Sequence, residues 1–231
     1  MKILSLESSA GPASVAFSEE GRIRAAQYQD VGSTHSRTLL PLCESMLLNA
    51  GLSYADADLI AVSAGPGSFT GVRIGIATAK GVAFGTGAKC LAVSSLLGLA
   101  ANCADLEGAL LCPCVDARCG RIYTALFRVE NGFPRRLAED QVLPLSALAD
   151  FCPEPPLLLG DAAEAALAAL PGARLAPLSL RLHHAVGIAR AAAHFAADAV
   201  ESDLLVPVYL QKSQAEQTRL DAEKNISKEI K

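Results

Sequence analysis

The sequence predicts an α/β protein built in two units, each of which opens on consecutive strands before helices begin. Three observations carry this reading. Short apolar runs at residues 2–6, 13–17 and 23–28 are separated by turn residues and describe a β-meander, not a β–α–β start. Helical and strand-like segments then alternate, giving the order β-β-β-α-β-α-β-α as far as Ala101. A second β-rich stretch opens near Asp105 and is again followed by helical stretches, so the second half loosely repeats the first.

Bulk composition narrows the functional classes. A chain of 231 residues that is 51% hydrophobic and 19% charged has enough apolar material for one large domain or two lobes with a proper core. A net charge of −4 provides no electrostatic footprint for independent nucleic-acid binding, so a nucleic-acid role requires a basic partner. The seven cysteines are odd in number and follow no secretory leader, which points to reduced thiols in the cytosol. No apolar run reaches transmembrane length without charges or breakers, so no membrane role is expected.

The first strand, residues 2–6 (KILSL), ends in Glu7-Ser8-Ser9. Glu7 is placed equally well for an acid facing a ligand or metal-bound phosphate and for a solvated turn acid. The first helix is expected at residues 36–50, with Leu39, Cys43, Met46, Leu47 and Ala50 as its apolar stripe and Leu40, Leu42 and Leu48 off it. Pro41 is read as near the helix start and Gly51 as its stop. His35, alone at the helix entrance, reads as a cap or a surface hydrogen-bonding group before a metal ligand.

Next comes the most distinctive stretch. Residues 59–64 (LIAVSA) read as a buried strand running into GPGSFTGVRIGIATAKGVAF, residues 65–84. Strand, glycine turn and helix is the layout that aims backbone N–H groups at an anion. Gly65, Gly67 and Gly71 permit unusual backbone geometry, and Ser68 or Thr70 is positioned to cap the helix. Two readings stay open for the loop: a phosphate cradle, or a tight turn serving packing or a protein interface. The pattern is neither G-x-x-x-x-G-K-[ST] nor G-x-G-x-x-G with an acid about twenty positions on. The helix has only Arg73, Thr78 and Lys80 as polar side chains, so it is expected to be covered on most sides. Arg73 and Lys80 share one edge, and Gly71, Gly75 and Ala79 form a small-residue stripe that would let another helix backbone approach.

Residues 89–93 read as a strand, Ser94-Ser95 as the cap of a short helix at 96–101, and 109–115 (ALLCPCV) as the strand that opens the second unit. Cys112 and Cys114 then share one face, where small apolar packing is the favoured reading. That strand ends in Asp116-Ala117-Arg118, where Asp116 either contacts a ligand or pairs with Arg118. Residues 122–129 return, Asn131-Gly132 marks a hairpin, and 136–142 form the next strand. Helical stretches are expected at 144–151, 161–170 and 184–202, with a short strand at 157–159. His183, His184 and His194 have no matched acid or cysteine in spacing and read as structural. Residues 204–210 read as extended, and the polar chain after Gln211 as mobile or ordered by a partner.

The blocks GPGSFTGVRIGIATAKGVAF and KILSLESSAGPASVAF, with HSRTLLPLCESML, VDARCGRIYTALF and VPVYLQ in order, resemble the TsaB (YeaZ) family over residues 2–211. The resemblance implies an ASKHA (actin-like ATPase, ribonuclease H-like) fold. Its lobes would cover residues 1–104 plus 186–212, and 105–185, with a mobile tail at 213–231. It also implies a non-catalytic subunit in the formation of N6-threonylcarbamoyladenosine at position 37 of tRNAs that read ANN codons. Such a subunit forms a homodimer when alone, pairs with TsaD, is joined by the ATPase TsaE, and meets tRNA only through the complex; ATP or ADP is implied only at the assembled interface. The interface would use Leu39, Cys43, Met46, Gly71, Gly75, Thr78, Ala79 and Val82, and Glu7, Ser68, Arg73 and Asp116 are the candidate ligand contacts. Where TsaD-like sequences carry a metal-holding His-x-x-x-His, this chain has Ser95 and Leu99, so neither a metal nor a catalytic residue is expected. The family's Asp after the first strand is Glu7 here, and its closing Tyr-Leu-Arg is Tyr209-Leu210-Gln211. The alternative is an independent ATP-dependent enzyme or a glycoprotease-like peptidase.

Overall fold

The computed structural model describes residues 1–32 and 34–211. The meander forms as β1 (Lys2–Glu7), β2 (Ala13–Glu19) and β3 (Arg22–Gln29). Then follow α1 (His35–Asn49), β4 (Leu59–Ser63), α2 (Phe69–Thr86), β5 (Lys89–Val93) and α3 (Ser95–Ala101). The second unit supplies β6 (Leu110–Asp116), β7 (Arg121–Glu130), β8 (Phe133–Pro144), α4 (Leu148–Phe151), β9 (Leu157–Leu159), α5 (Ala163–Ala169), β10 (Arg174–Leu175), α6 (Leu178–Arg181) and α7 (Ala185–Phe195).

Two five-stranded sheets result, ordered β3-β2-β1-β4-β5 and β10-β9-β6-β7-β8. In each, a hairpin-linked antiparallel set is extended by parallel strands that arrive through helical crossovers. Strand alternation then sorts side chains between layers. On β1, Leu4 and Leu6 face a core shared with α1 and α2, while Ile3 faces the opposite core. That second core joins both sheets: Leu91 and Val93 of the first and Leu111, Val115 and Phe127 of the second close on α3 and α7. A third core lies beyond the second sheet, where Leu110, Cys112 and Leu158 meet Leu148 and Ala163. The layers therefore run α1/α2, first sheet, α3/α7, second sheet, α4/α5.

The α3–α7 crossing depends on glycine. A Cβ on Gly187 would lie 1.9 Å from the Gly98 carbonyl oxygen, so the two backbones touch. The α1 terminus is equally legible: Gly51 has φ +67°, and Leu52 N–H donates to Leu47 O at 2.8 Å, closing a left-handed C-cap.

Several boundaries differ from the sequence reading. The alanine-rich helix expected at 184–202 ends at Phe195, because Val200 exchanges two 2.8 Å backbone hydrogen bonds with Cys90 on the free edge of β5. Edge pairing outcompetes alanine's helix propensity. Pro41 lies inside α1, not at its start, and is tolerated on the exposed side of the helix. The 144–151 segment divides into a 3-10 turn at Leu145–Ala147 and the single turn of α4. Residues Ser202–Leu204 form a 3-10 turn, which takes in the last residue of the expected helix and the first of the stretch read as extended, 204–210. Strand β10 and helix α6 carried no sequence signal, being two and four residues long. Helix α2 is covered on one side only: Ala77, Gly81, Phe84 and Gly85 are exposed. The tail assigned to residues 213–231 lies outside the described residues.

Candidate functional site

The GPGSFTG loop is a packing junction. A Cβ at Gly71 would lie 2.0 Å from the Ser8 carbonyl oxygen, one at Gly67 2.3 Å from the Ser9 carbonyl oxygen, and one at Gly65 2.3 Å from the Val208 carbonyl oxygen. The glycines thus admit the turn after β1 on one side and the C-terminal chain on the other. Three of the loop's amides are engaged as well. Ser68 N–H donates to Ser9 O at 2.7 Å, Gly65 N–H to Ser95 Oγ at 3.2 Å, and Gly71 N–H to Ser68 Oγ at 3.3 Å. Ser68 is the helix cap, so its placement as a ligand contact gives way to an intramolecular role, and Thr70 lies inside the helix. An anion here would meet the carbonyl oxygens of Ser8 and Ser9. The close backbone approaches at Gly65, Gly67 and Gly71 give the loop's glycines a packing role.

Glu7 is not a solvated turn acid. It is 1% exposed, and its Oε1 accepts from Ser9 N–H at 2.7 Å, Ser9 Oγ at 2.7 Å and Ser63 Oγ at 2.8 Å. Three donors on one oxygen replace the hydration that burial removes. The extra methylene relative to aspartate is absorbed inside this hydroxyl nest.

Beside it stands a grouping that sequence spacing hid. Ser14, paired with Glu7 across the β1–β2 ladder, lies 3.5 Å from His184 Nδ1. This resembles a nucleophile–base pair, but its protons are committed elsewhere. Ser14 Oγ donates to Gln27 O at 3.0 Å and accepts from Ala185 N–H at 3.2 Å. His184 Nδ1 accepts from Val186 N–H at 3.1 Å as the cap of α7. Burial lowers the His184 pKa from its ordinary 6.5, and the nearby Glu7 charge opposes that shift. Tyr28 stacks on His184 with centroids 5.4 Å apart. Together, Ser14 and His184 join the meander to α7. His194 likewise stacks on Phe133 at 3.7 Å, and His183 is buried. His35 Nε2 lies 2.8 Å from Ala10 O.

The cations of α2 hold down the C-terminal chain. Arg73 Nε donates to Tyr209 Oη at 2.8 Å, its guanidinium lies 3.8 Å above the Phe69 ring, and Phe69 stacks on Tyr209 at 4.8 Å. Lys80 Nζ donates to Asp203 O at 3.2 Å, and Val208 N–H donates to Ala64 O at 2.7 Å. Residues 203–209 therefore form a strap fastened across α2. Asp116 is exposed; its Oδ1 accepts from Arg118 N–H at 2.8 Å, so the pairing is through the Arg118 backbone in a local turn.

Six of the seven cysteines are buried packing groups, and Cys119 is exposed. Cys112 Sγ lies 3.9 Å from both Cys114 Sγ and Cys152 Sγ inside the third core. Contact with Cys114 and burial push the Cys112 thiol upward, and burial pushes Cys43 to about 12. Among the described residues no group of three His, Cys, Asp or Glu side chains is arranged to hold a metal ion, and no helix is long and apolar enough to cross a membrane.

Most of the residues expected at the interface are buried. Leu39, Cys43, Met46 and Ala79 are buried in the core beneath α1 and α2; Gly71 is buried against Ser8 in the turn after β1, and Gly75 against Ser8 and Val62 of β4. Only Thr78 and Val82 of that set reach the surface, each half-buried. The stripe misled because its spacing of four recurs on the opposite side of the same helix. Arg73, Ala77, Gly81 and Gly85 also lie four apart, and all are exposed. Open space surrounds any Cβ built on Gly81 or Gly85. Phe84, 87% exposed, stands beside this line, and α1 adds Leu48 at 79% and Leu40 at 42%.

Comparison with known proteins places this geometry. The family model described as "TsaD: tRNA N6-adenosine threonylcarbamoyltransferase" matches residues 29–201. The chain is 35% identical over 163 residues to the tRNA threonylcarbamoyladenosine biosynthesis protein TsaB of Bacillus subtilis (strain 168), covering 69% of this chain and 71% of the relative. It is 36% identical over 134 residues to the Escherichia coli (strain K12) protein of the same name, covering 57% and 58%. Among solved structures it is similar to YeaZ from Pseudomonas aeruginosa, with a TM-score of 0.79, 30% identity, and coverage of 90% of this chain and 99% of that one. The paired five-stranded sheets are those of the ASKHA fold.

Proposed function

The chain belongs to the TsaB (YeaZ) family, whose members act in tRNA threonylcarbamoyladenosine biosynthesis, and from that premise we propose that it is a non-catalytic docking subunit of the assembly that makes the modified nucleoside. Its partner is a transferase-type paralogue, TsaD, which carries the chemistry; TsaE joins the pair, and tRNA meets the chain only through the complex. A homodimer forms through the same surface when the paralogue is absent. Any ATP or ADP belongs to the assembled interface. The free cysteines suit a reducing compartment, and the reading places the protein in the cytoplasm.

The observation that carries this reading is the bare face of α2 and α1, with Phe84 at 87% and Leu48 at 79% exposure on adjoining helices. These are the two most exposed large apolar side chains among the described residues, and large apolar side chains held in water on adjoining helices mark a surface that a partner covers. The non-catalytic part is supported by the commitment of the polar groups around the end of β1: Ser14, His184 and Glu7 are tied to backbone and hydroxyl partners.

The test is reconstitution. Modified nucleoside is measured in tRNA incubated with this chain, TsaD, TsaE and a source of threonylcarbamoyl-adenylate, with each omitted in turn. The expected result is product only from the full set, with the signal lost when Phe84→Glu replaces the wild-type chain. Product formation by this chain without TsaD would favour the independent-enzyme reading instead.

A further inference from the structure

We infer that the α1–α2 face recognises a second copy of this chain through reciprocal ion pairs between Arg73 of one copy and Glu44 of the other. The inference rests on the docking-face reading above and assigns its polar contacts.

The charge inventory of the two helices is short. Over residues 35–49 and 69–86 the only acidic side chain is Glu44, and the basic ones are Arg37, Arg73 and Lys80. Lys80 is occupied by the Asp203 carbonyl. Glu44 is exposed on the outer side of α1 and, among the described residues, makes no ion pair or hydrogen bond. Arg73 differs from an ordinary surface arginine. The Tyr209 hydroxyl holds its Nε and the Phe69 ring covers one guanidinium face. The two terminal nitrogens, without a partner among the described residues, form a fixed fork on the exposed side of α2. A planar fork held in one orientation is built for bidentate pairing with a carboxylate and loses little freedom on doing so.

Position supports the same match. Helices α1 and α2 start together: His35 lies against Gly71, with 3.2 Å separating the imidazole Cδ2 from a Cβ built there. Both helices follow strands of parallel direction, β3 and β4, in one sheet, so they run side by side in the same sense. A two-fold axis across the centre of this layer sets the first turns of one copy's α2 against the later turns of the other copy's α1 and α2. Arg73 lies early in α2 and Glu44 late in α1. The open line Ala77–Gly81–Gly85 lets the helices approach.

Charge-reversed variants of the full chain test the pairing by sedimentation velocity. Arg73→Glu and Glu44→Arg each place two like-charge contacts in a homodimer, so each alone should self-associate at least about tenfold more weakly than wild type. Mixed in equal amounts, they restore two opposite-charge contacts, and a heterodimer approaching wild-type affinity is expected. Glu44→Gln, which disturbs no contact within the monomer, should weaken the dimer and flatten its salt dependence, and thermal melting checks that each variant is folded. If the mixture fails to associate while Phe84→Glu still blocks the wild-type dimer, the ion-pair assignment falls and the docking face stands. If Glu44→Gln and wild type associate alike at every salt concentration, the assignment also falls. If the wild-type chain is monomeric throughout, the homodimer reading and this inference fall together.

Discussion

At the scale of single residues, one residue type has opposite consequences on one helix. A Cβ on Gly71 would sit 2.0 Å from the Ser8 backbone oxygen, while one on Gly81 meets nothing within 4 Å. Gly71→Ala should therefore lower stability by about 3 kcal/mol, because the obstructing atom is backbone and cannot rotate away. Gly81→Ala should raise it by up to about 1 kcal/mol through helix propensity. Denaturant melts of the two variants read the contrast. His184 gives a pH signature. Burial lowers its folded pKa below 6.5, so the unfolded chain takes up the proton first. Its contribution is complete above pH 6.5 and is lost as pH falls through that value towards the folded pKa. His184→Asn, which keeps an acceptor for Val186 N–H, should flatten that acid limb in melts between about pH 7 and pH 5. The sequence revealed the unusual glycines and read His184 as structural. It did not reveal what each one touches, because Ser8 and Gly71 are 63 residues apart and Ser14 and His184 are 170 apart.

At the scale of elements, the strap at residues 203–209 and the α3–α7 crossing behave differently. The strap is fastened by a few surface contacts, Tyr209 on Arg73 and Asp203 on Lys80. Tyr209→Phe should cost about 1 kcal/mol or less globally, while amide exchange speeds up over the strap and not over α2. The crossing lies in the core joining both sheets. There Gly187→Ala should destabilise the whole fold by about 3 kcal/mol or more, because the Gly98 carbonyl oxygen is 1.9 Å from the added atom. Strand existence and order were legible along most of the chain, since β1, β2, β4 and β6 are almost entirely buried and read as short apolar runs. The end of α7 was not. Its continuation has the alanines of a helix, yet Val200 pairs with an edge strand 110 positions earlier.

At the scale of the whole molecule, both faces of each sheet are covered and the outer side of the α1/α2 layer is bare. Phe84→Glu should leave the single chain folded, because that side chain faces solvent there, while abolishing self-association in sedimentation and with it any concentration dependence of the melting temperature. The same variant should fail to support tRNA modification in the reconstituted system. A Glu at Gly75 would not make this test, since the position is buried against Ser8 Oγ and Val62 and the variant would be misfolded.

By itself the sequence determined the α/β class, the two meander-led halves, the strand–glycine-loop–helix at the centre and membership of a family, because these follow from local periodicity and from a motif read in order. Only the tertiary structure decided which side of α2 is the outside. Spacings of four place Gly71, Gly75 and Ala79 on one line and Ala77, Gly81 and Gly85 on another, and nothing local separates the two. The choice was made by the turn after β1, whose carbonyl oxygens leave room for hydrogen but not for carbon at Gly67 and Gly71. That contact turns the first line inward and leaves the second facing water.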